Sequence, residues 1–307
     1  MTSFRLGPLV LASCFEPLLH PRLRQLDFPR IEGIDCEDCR MVRLGMFSPR
    51  IKCCGWVPAL PNFLAGEILA EGQANGSAER VVDWITAGRG DPLYVNTPPR
   101  LQVLHRRVPM PCPLLDSSDR CSIYEHRPYL CIAYHCTYPP SVVAKAFWTC
   151  LGSLFALHSA VLAQYLVGKL GVDREQYSRS WEGVDEERSV WAGDVLRPEF
   201  SSALWQGEED HSSFYARCYH YVCDHRQTIR AEVDAFRRKQ LLRTLPERGE
   251  PSSQRQSEIE VQSTSPEPME APATWYGNRL VTLAGNPFTL TEHESHLLWL
   301  ANRCGRV

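Results

Sequence analysis

Eight of the chain's 13 cysteines fall in two groups: Cys36, Cys39, Cys53 and Cys54, then Cys112, Cys121, Cys131 and Cys136. Thiols crowded in this way either crosslink or ligate a metal, and both ties can hold irregular backbone that few apolar residues would hold. The other five (Cys14, Cys150, Cys218, Cys223, Cys304) are scattered. An odd total cannot pair completely within a monomer, and a C-x-x-C pair points to metal in a reducing compartment. Cys36-Glu-Asp-Cys39 has the spacer that lets both thiolates reach one ion. Adjacent side chains diverge, so Cys53 and Cys54 divide between two centres, or one ligates while the other is buried. The second group, CPLLDSSDRCSIYEHRPYLCIAYHC, has spacers of eight, nine and four residues, with Pro113 and Pro128 fixing turns.

The rest of the composition is that of a folded chain. With 307 residues, 44% hydrophobic and 22% charged, there is apolar area enough to offset ordering entropy, and length for about two domains. A net charge of −3 gives no basic excess for phosphate neutralisation, so nucleic acid is not an expected partner. Residues 146–168 carry no Asp, Glu, Lys or Arg. Polar His158, Gln164, Ser153 and Ser159 interrupt them, and Phe147, Leu151, Phe155, Leu162 and Leu166 recur at helical spacing. That is the pattern of a long core helix, so no membrane is expected and the location is cytoplasmic. The start, MTSFRLGPLVLASC, matches a lipoprotein box, which makes anchoring at Cys14 the minor alternative; its apolar run is short and holds Gly7 and Pro8.

Along the chain, residues 1–30 read as an N-terminal extension and 31–245 as a mainly α domain with irregular cysteine loops organised by metal. Helices are expected at 62–71 capped by Asn62, at 78–87 capped by Ser77 and stopped by Gly88, at 142–170 ended by Gly171, and at 211–242. Residues 246–273, rich in Pro, Ser, Glu and Gln, have almost nothing to bury and read as a disordered linker. Residues 274–307 read as a hairpin and helix, with Thr291 and Glu294 as a capping box.

C-x-x-C, then Cys-Cys, then C-P-L-L, then C-S-I-Y-E-x-R-P-x-x-C-x-x-Y-x-C resembles the YkgJ-type cysteine-cluster proteins over about residues 35–136. The resemblance implies a zinc- or iron-chelating domain, with Cys36, Cys39, Cys53, Cys54, Cys112, Cys121, Cys131 and Cys136 as ligands. It leaves zinc, iron and an iron–sulfur cluster open. Two features depart from the family pattern: the 13-residue gap between Cys39 and Cys53, and Ile132 where relatives commonly carry Arg. Members of this broad family include flagellin lysine N-methylases, which implies as an alternative an iron–sulfur enzyme that methylates a protein substrate with S-adenosylmethionine. No Gly-rich strand–loop–helix and no C-x-x-x-C-x-x-C motif supports that alternative from the residues themselves. Residues 283–307 are similar to the start of a response-regulator winged-helix domain that stops before its recognition helix, which implies a regulatory or interaction role through a protein partner and not DNA reading.

His126 and His135, among the cysteines, read as hydrogen-bonding residues before ligands. Arg120, Arg127 and Lys52 read as partners of a thiolate centre or as ordinary ion pairs. Tyr124 reads as a packing residue. Cys218 and Cys223, five apart on one helix, point to different faces and read as core or surface thiols. No catalytic residue can be singled out. Because residues 246–273 cannot bury a core, limited proteolysis of the full chain is expected to cut there first and release a stable fragment ending near Leu245. Cleavage first within residues 35–136 would contradict this.

Overall fold

The uncharged run at residues 146–168 supplies the axis of the fold. In the computed structural model, which describes residues 3–26, 28–29, 40–45, 48–49, 58–71, 76–95, 111–133, 142–182, 184, 190–192 and 195–244, it lies within one helix, Val142–Lys169. Phe147, Leu151, Leu154, Phe155, Leu162 and Leu166 are fully buried along it, and Gly171, in the left-handed region, stops it. Its segment Ala146–Lys169 is long and apolar enough to cross a membrane, yet 78% of its most apolar window is buried within the protein. It packs as a core helix.

The architecture is mainly helical, with 61% of the described residues in helices and 10% in strands. In chain order the α-helices are α1 (Arg40–Arg43), α2 (Asn62–Glu71), α3 (Ser77–Thr86), α4 (Tyr129–Ala133), α5 (Val142–Lys169), α6 (Arg174–Ser180), α7 (Pro198–Trp205), α8 (His211–Asp224) and α9 (Ile229–Thr244). Among the described residues, three antiparallel two-stranded ribbons accompany them: β1 (Ser3–Leu6) with β2 (Leu9–Ala12), β3 (Leu60–Pro61) with β4 (Tyr94–Val95), and β5 (Trp191–Ala192) with β6 (Val195–Leu196). The N-terminal segment is part of the core. Leu6 pairs with Leu9 and Ser3 with Ala12, and Leu6, Leu11, Phe15, Leu18 and Leu23 are fully buried. Phe15 meets Phe63 of α2 and Phe155 of α5 edge-on, with ring centres 5.7 and 5.4 Å apart.

Asn62 is the first residue of α2, and its side chain reaches beyond that helix. Its Oδ1 accepts from the Phe63 N–H at 2.7 Å, while its amide donates to the carbonyls of Pro92 and Ala163, each at 3.0 Å. One fully buried side chain thereby ties α2 to the β4 loop and to α5, with its polar atoms satisfied. At α3 the capping position is Gly76, not Ser77, which lies buried inside the first turn.

The span 211–242, expected as one helix, is two. A continuous α-helix would separate Tyr221 from Glu232 by about 16 Å along its axis. The turn between α8 and α9 instead brings the Tyr221 hydroxyl to the Glu232 carboxylate at 3.2 Å, where Tyr165 of α5 also donates. His225 closes α8: its ring stacks on Tyr221 at 3.9 Å and its Nδ1 lies 2.9 Å from the Tyr221 carbonyl.

The most extensively packed helices are α2 and α8. They meet at Gly66, where a Cβ would lie 2.0 Å from the Tyr215 carbonyl oxygen and 2.9 Å from the Tyr219 Cβ. Only hydrogen fits there. Gly66→Ala gains about 1 kcal/mol of helix propensity but must push two backbones apart, and such overpacking typically costs about 1–3 kcal/mol or more. Urea unfolding is expected to show a net loss of stability; an unchanged or raised midpoint would contradict the close crossing.

Candidate metal-binding residues

Of the eight cysteines expected as ligands, Cys36, Cys39, Cys53, Cys54 and Cys136 lie outside the described residues, as do His135, Lys52, Cys304, the linker and the C-terminal segment. Cys112, Cys121 and Cys131 are described, and all three are thiols, not disulfides. Cys112 is buried, and the other two are part-buried. The backbone around Cys112 and Cys121 is a chain of turns. The Leu115 N–H donates to the Cys112 carbonyl at 3.0 Å, and Leu115 pairs across an isolated β-bridge with Cys121. Both cysteines therefore flank Leu115.

Asp116 closes the tip of this loop, accepting from the N–H groups of Arg120 at 3.0 Å and Ser118 at 2.8 Å. These donors, Arg120 first, hold its carboxyl below the ordinary range, so they favour the turn above that range and the support fades as pH falls. Arg120 also pairs with Asp116 at 3.5 Å. Ser122 donates both its N–H and its hydroxyl to the Leu114 carbonyl, at 2.9 and 2.8 Å. Tyr124 is not packed inward as expected: it is exposed, and Arg127 lies 3.9 Å above its ring while donating Nε to its carbonyl. Cys131 sits on α4, which packs on α5.

Among the described residues, the group of three or more potential metal ligands whose donor atoms converge is Glu67, Glu71 and His126, with one ligand atom of each within 4.8 Å of the others. Its assembly follows from the elements around it. Glu67 and Glu71 are four apart on α2, hence on one face. His126 arrives from the opposite direction: buried Ile123 anchors the 3-10 turn Tyr124–His126, which packs on β2 and on α2. Glu67 is fully buried. Its Oε1 accepts from the Ser13 N–H and hydroxyl, both at 2.7 Å, and its Oε2 from the Cys14 N–H at 3.2 Å. Glu71 Oε1 accepts the Tyr219 hydroxyl of α8 at 2.5 Å.

Two atoms of this group are buried without a hydrogen-bond partner: Glu71 Oε2 and His126 Nε2. No salt bridge joins Glu67 or Glu71 to a Lys or Arg among the described residues. Two thiols lie alongside. Burial first, then the Glu67 carboxylate, pushes the Cys14 thiol up. Burial also raises Cys223, with Glu67 and Glu71 adding to it and the Tyr219 hydroxyl opposing. Cys218, on the same helix as Cys223, is instead buried in the core, and burial likewise raises its thiol. The lipoprotein-like Leu11-Ala12-Ser13-Cys14 is buried whole against Glu67.

The sequence signals the carboxylates only weakly. E-x-x-x-E at residues 67–71 is common on solvated faces, and what marks it here is the company of Phe63, Leu64 and Ile68, all fully buried on the same short helix. No protein-family model, curated protein or solved structure matches the chain.

The Glu67 carboxylate is the joint between the N-terminal segment and α2. Glu67→Gln sets an amide N–H₂ against one of the donors now satisfied, and a lost charge-assisted hydrogen bond in a buried site costs about 1–3 kcal/mol. Denaturant unfolding of the metal-free protein is expected to show that loss; an unchanged midpoint would mean that the carboxylate does not fasten Ser13 and Cys14.

Proposed function

We propose that the chain is a metal-binding protein whose centre, a zinc ion, an iron ion or an iron–sulfur cluster, is held by thiolates of Cys36, Cys39, Cys53, Cys54, Cys112, Cys121, Cys131 and Cys136. The supporting observation is the loop at residues 111–123, in which turns and one isolated β-bridge, not a helix, set Cys112 and Cys121 on either side of Leu115 as thiols. Thiolate zinc and iron–sulfur sites commonly sit on irregular backbone of this kind. A reducing compartment such as the cytoplasm suits such thiols. The lysine N-methylase reading draws on no geometry among the described residues.

The two cysteine groups are 57 residues apart, so metal and fold form one equilibrium. Structural zinc contributes about 10–16 kcal/mol in small motifs, against about 5–15 kcal/mol of net stability for a typical domain. Protein purified anaerobically is expected to carry stoichiometric metal by elemental analysis. Cys121→Ser and Cys131→Ser each lower that content and open residues 35–136 to protease, while Cys304→Ser does neither. Full metal and full protection in the Cys121 and Cys131 variants, or no metal in the unaltered protein, would overturn the proposal.

A further inference from the structure

We infer that Glu67, Glu71 and His126 form a second metal site, separate from the cysteine groups, which takes a divalent first-row transition ion through oxygen and nitrogen ligands. A cation at the ~2.0–2.2 Å usual for carboxylate and imidazole ligands separates any two of them by at most about 4.4 Å. The three donor atoms, all within 4.8 Å of one another, need only a small inward movement to reach that arrangement. Two carboxylates and a neutral imidazole balance a dication. Without one, two acidic groups share a buried place that no basic side chain among the described residues neutralises.

Each carboxylate is fixed by its own donors: Glu67 by Ser13 and Cys14, Glu71 by Tyr219. Such partners orient ligands and leave the remaining lone pairs for the ion. Two polar atoms of the three side chains, Glu71 Oε2 and His126 Nε2, are buried with no hydrogen-bond partner. His126 is only 7% exposed, so water does not readily meet that need. Three protein ligands leave coordination positions for water or a small ligand. Carboxylate and imidazole donors accept zinc, iron(II), cobalt(II) or manganese(II) and do not select the copper(I) or iron–sulfur clusters that thiolates take.

Cobalt(II) is the probe, because thiolate-bound cobalt shows a sulfur-to-metal charge-transfer band and oxygen- or nitrogen-bound cobalt does not. The full chain, stripped of metal and loaded anaerobically, is analysed for bound cobalt and for that band. Glu71→Gln keeps an oxygen to accept from Tyr219 and replaces Oε2 with an amide; His126→Gln removes the imidazole. Each is expected to lose one equivalent of bound cobalt, or to weaken its binding about tenfold or more, with the charge-transfer band unchanged and the metal-free unfolding midpoint of Glu71→Gln not lowered. If both variants retain the full cobalt content and affinity of the unaltered chain, the site is refuted. If the band falls together with the lost cobalt, there is one centre and not two, which also refutes it. Absence of the band in the unaltered chain would instead count against the cysteine centre and leave the Glu–Glu–His readout intact.

Discussion

A carboxylate withdrawn from water must be met by hydrogen-bond donors or by a cation, and Glu67 meets that requirement in a way that shapes the domain. Its two oxygens receive the Ser13 N–H and hydroxyl and the Cys14 N–H, so the N-terminal segment is held against the middle of α2. One residue earlier, Gly66 lets α8 approach until its Tyr215 carbonyl touches the α2 backbone. That approach places Tyr219 beside Glu71 and Cys223 near both acids. The polar cluster and the tightest helix crossing are thus neighbours on one helix. Moving the crossing would separate Tyr219 from Glu71.

Much of the helical framework is legible in the sequence, because it is written in local terms. The uncharged run before Lys169, the Asn62 start and the Gly171 stop need only propensity and period. The break between α8 and α9 does not show in the helical period of residues 211–242; it brings Glu232 to Tyr221 and to Tyr165, which comes from α5. The N-terminal hairpin is illegible for a similar reason. Its Gly7 and Pro8 read only as interruptions of a short apolar run, whereas Leu6 and Leu11 acquire meaning only against the core they fill. The candidate site divides along the same line. Cysteines announce themselves by type and spacing, but Glu67 and Glu71 are ordinary helix residues until Ser13, His126 and Tyr219 arrive from distant positions.

The two proposed metal environments differ in chemistry, and that difference keeps them distinct. Thiolates suit zinc, copper(I) and iron–sulfur clusters, while carboxylates and imidazole suit harder ions and leave room for exchangeable water. They are nonetheless joined through the chain. His126 lies midway between Cys121 and Cys131, in a loop whose turns are set by Asp116, Ser122 and Arg127. The proposed thiolate centre and the imidazole therefore share one stretch of chain, while Ile123 already anchors the imidazole over α2.

The central claim, that this domain holds metal in two chemically different places, is tested most directly by anomalous diffraction from crystals of the metal-loaded protein. The account predicts one anomalous peak bounded by Glu67, Glu71 and His126, and a separate peak or cluster among the cysteine sulfurs that include Cys112, Cys121 and Cys131. A map with no peak at either place, measured at the absorption edge of the metal found in solution, would contradict it.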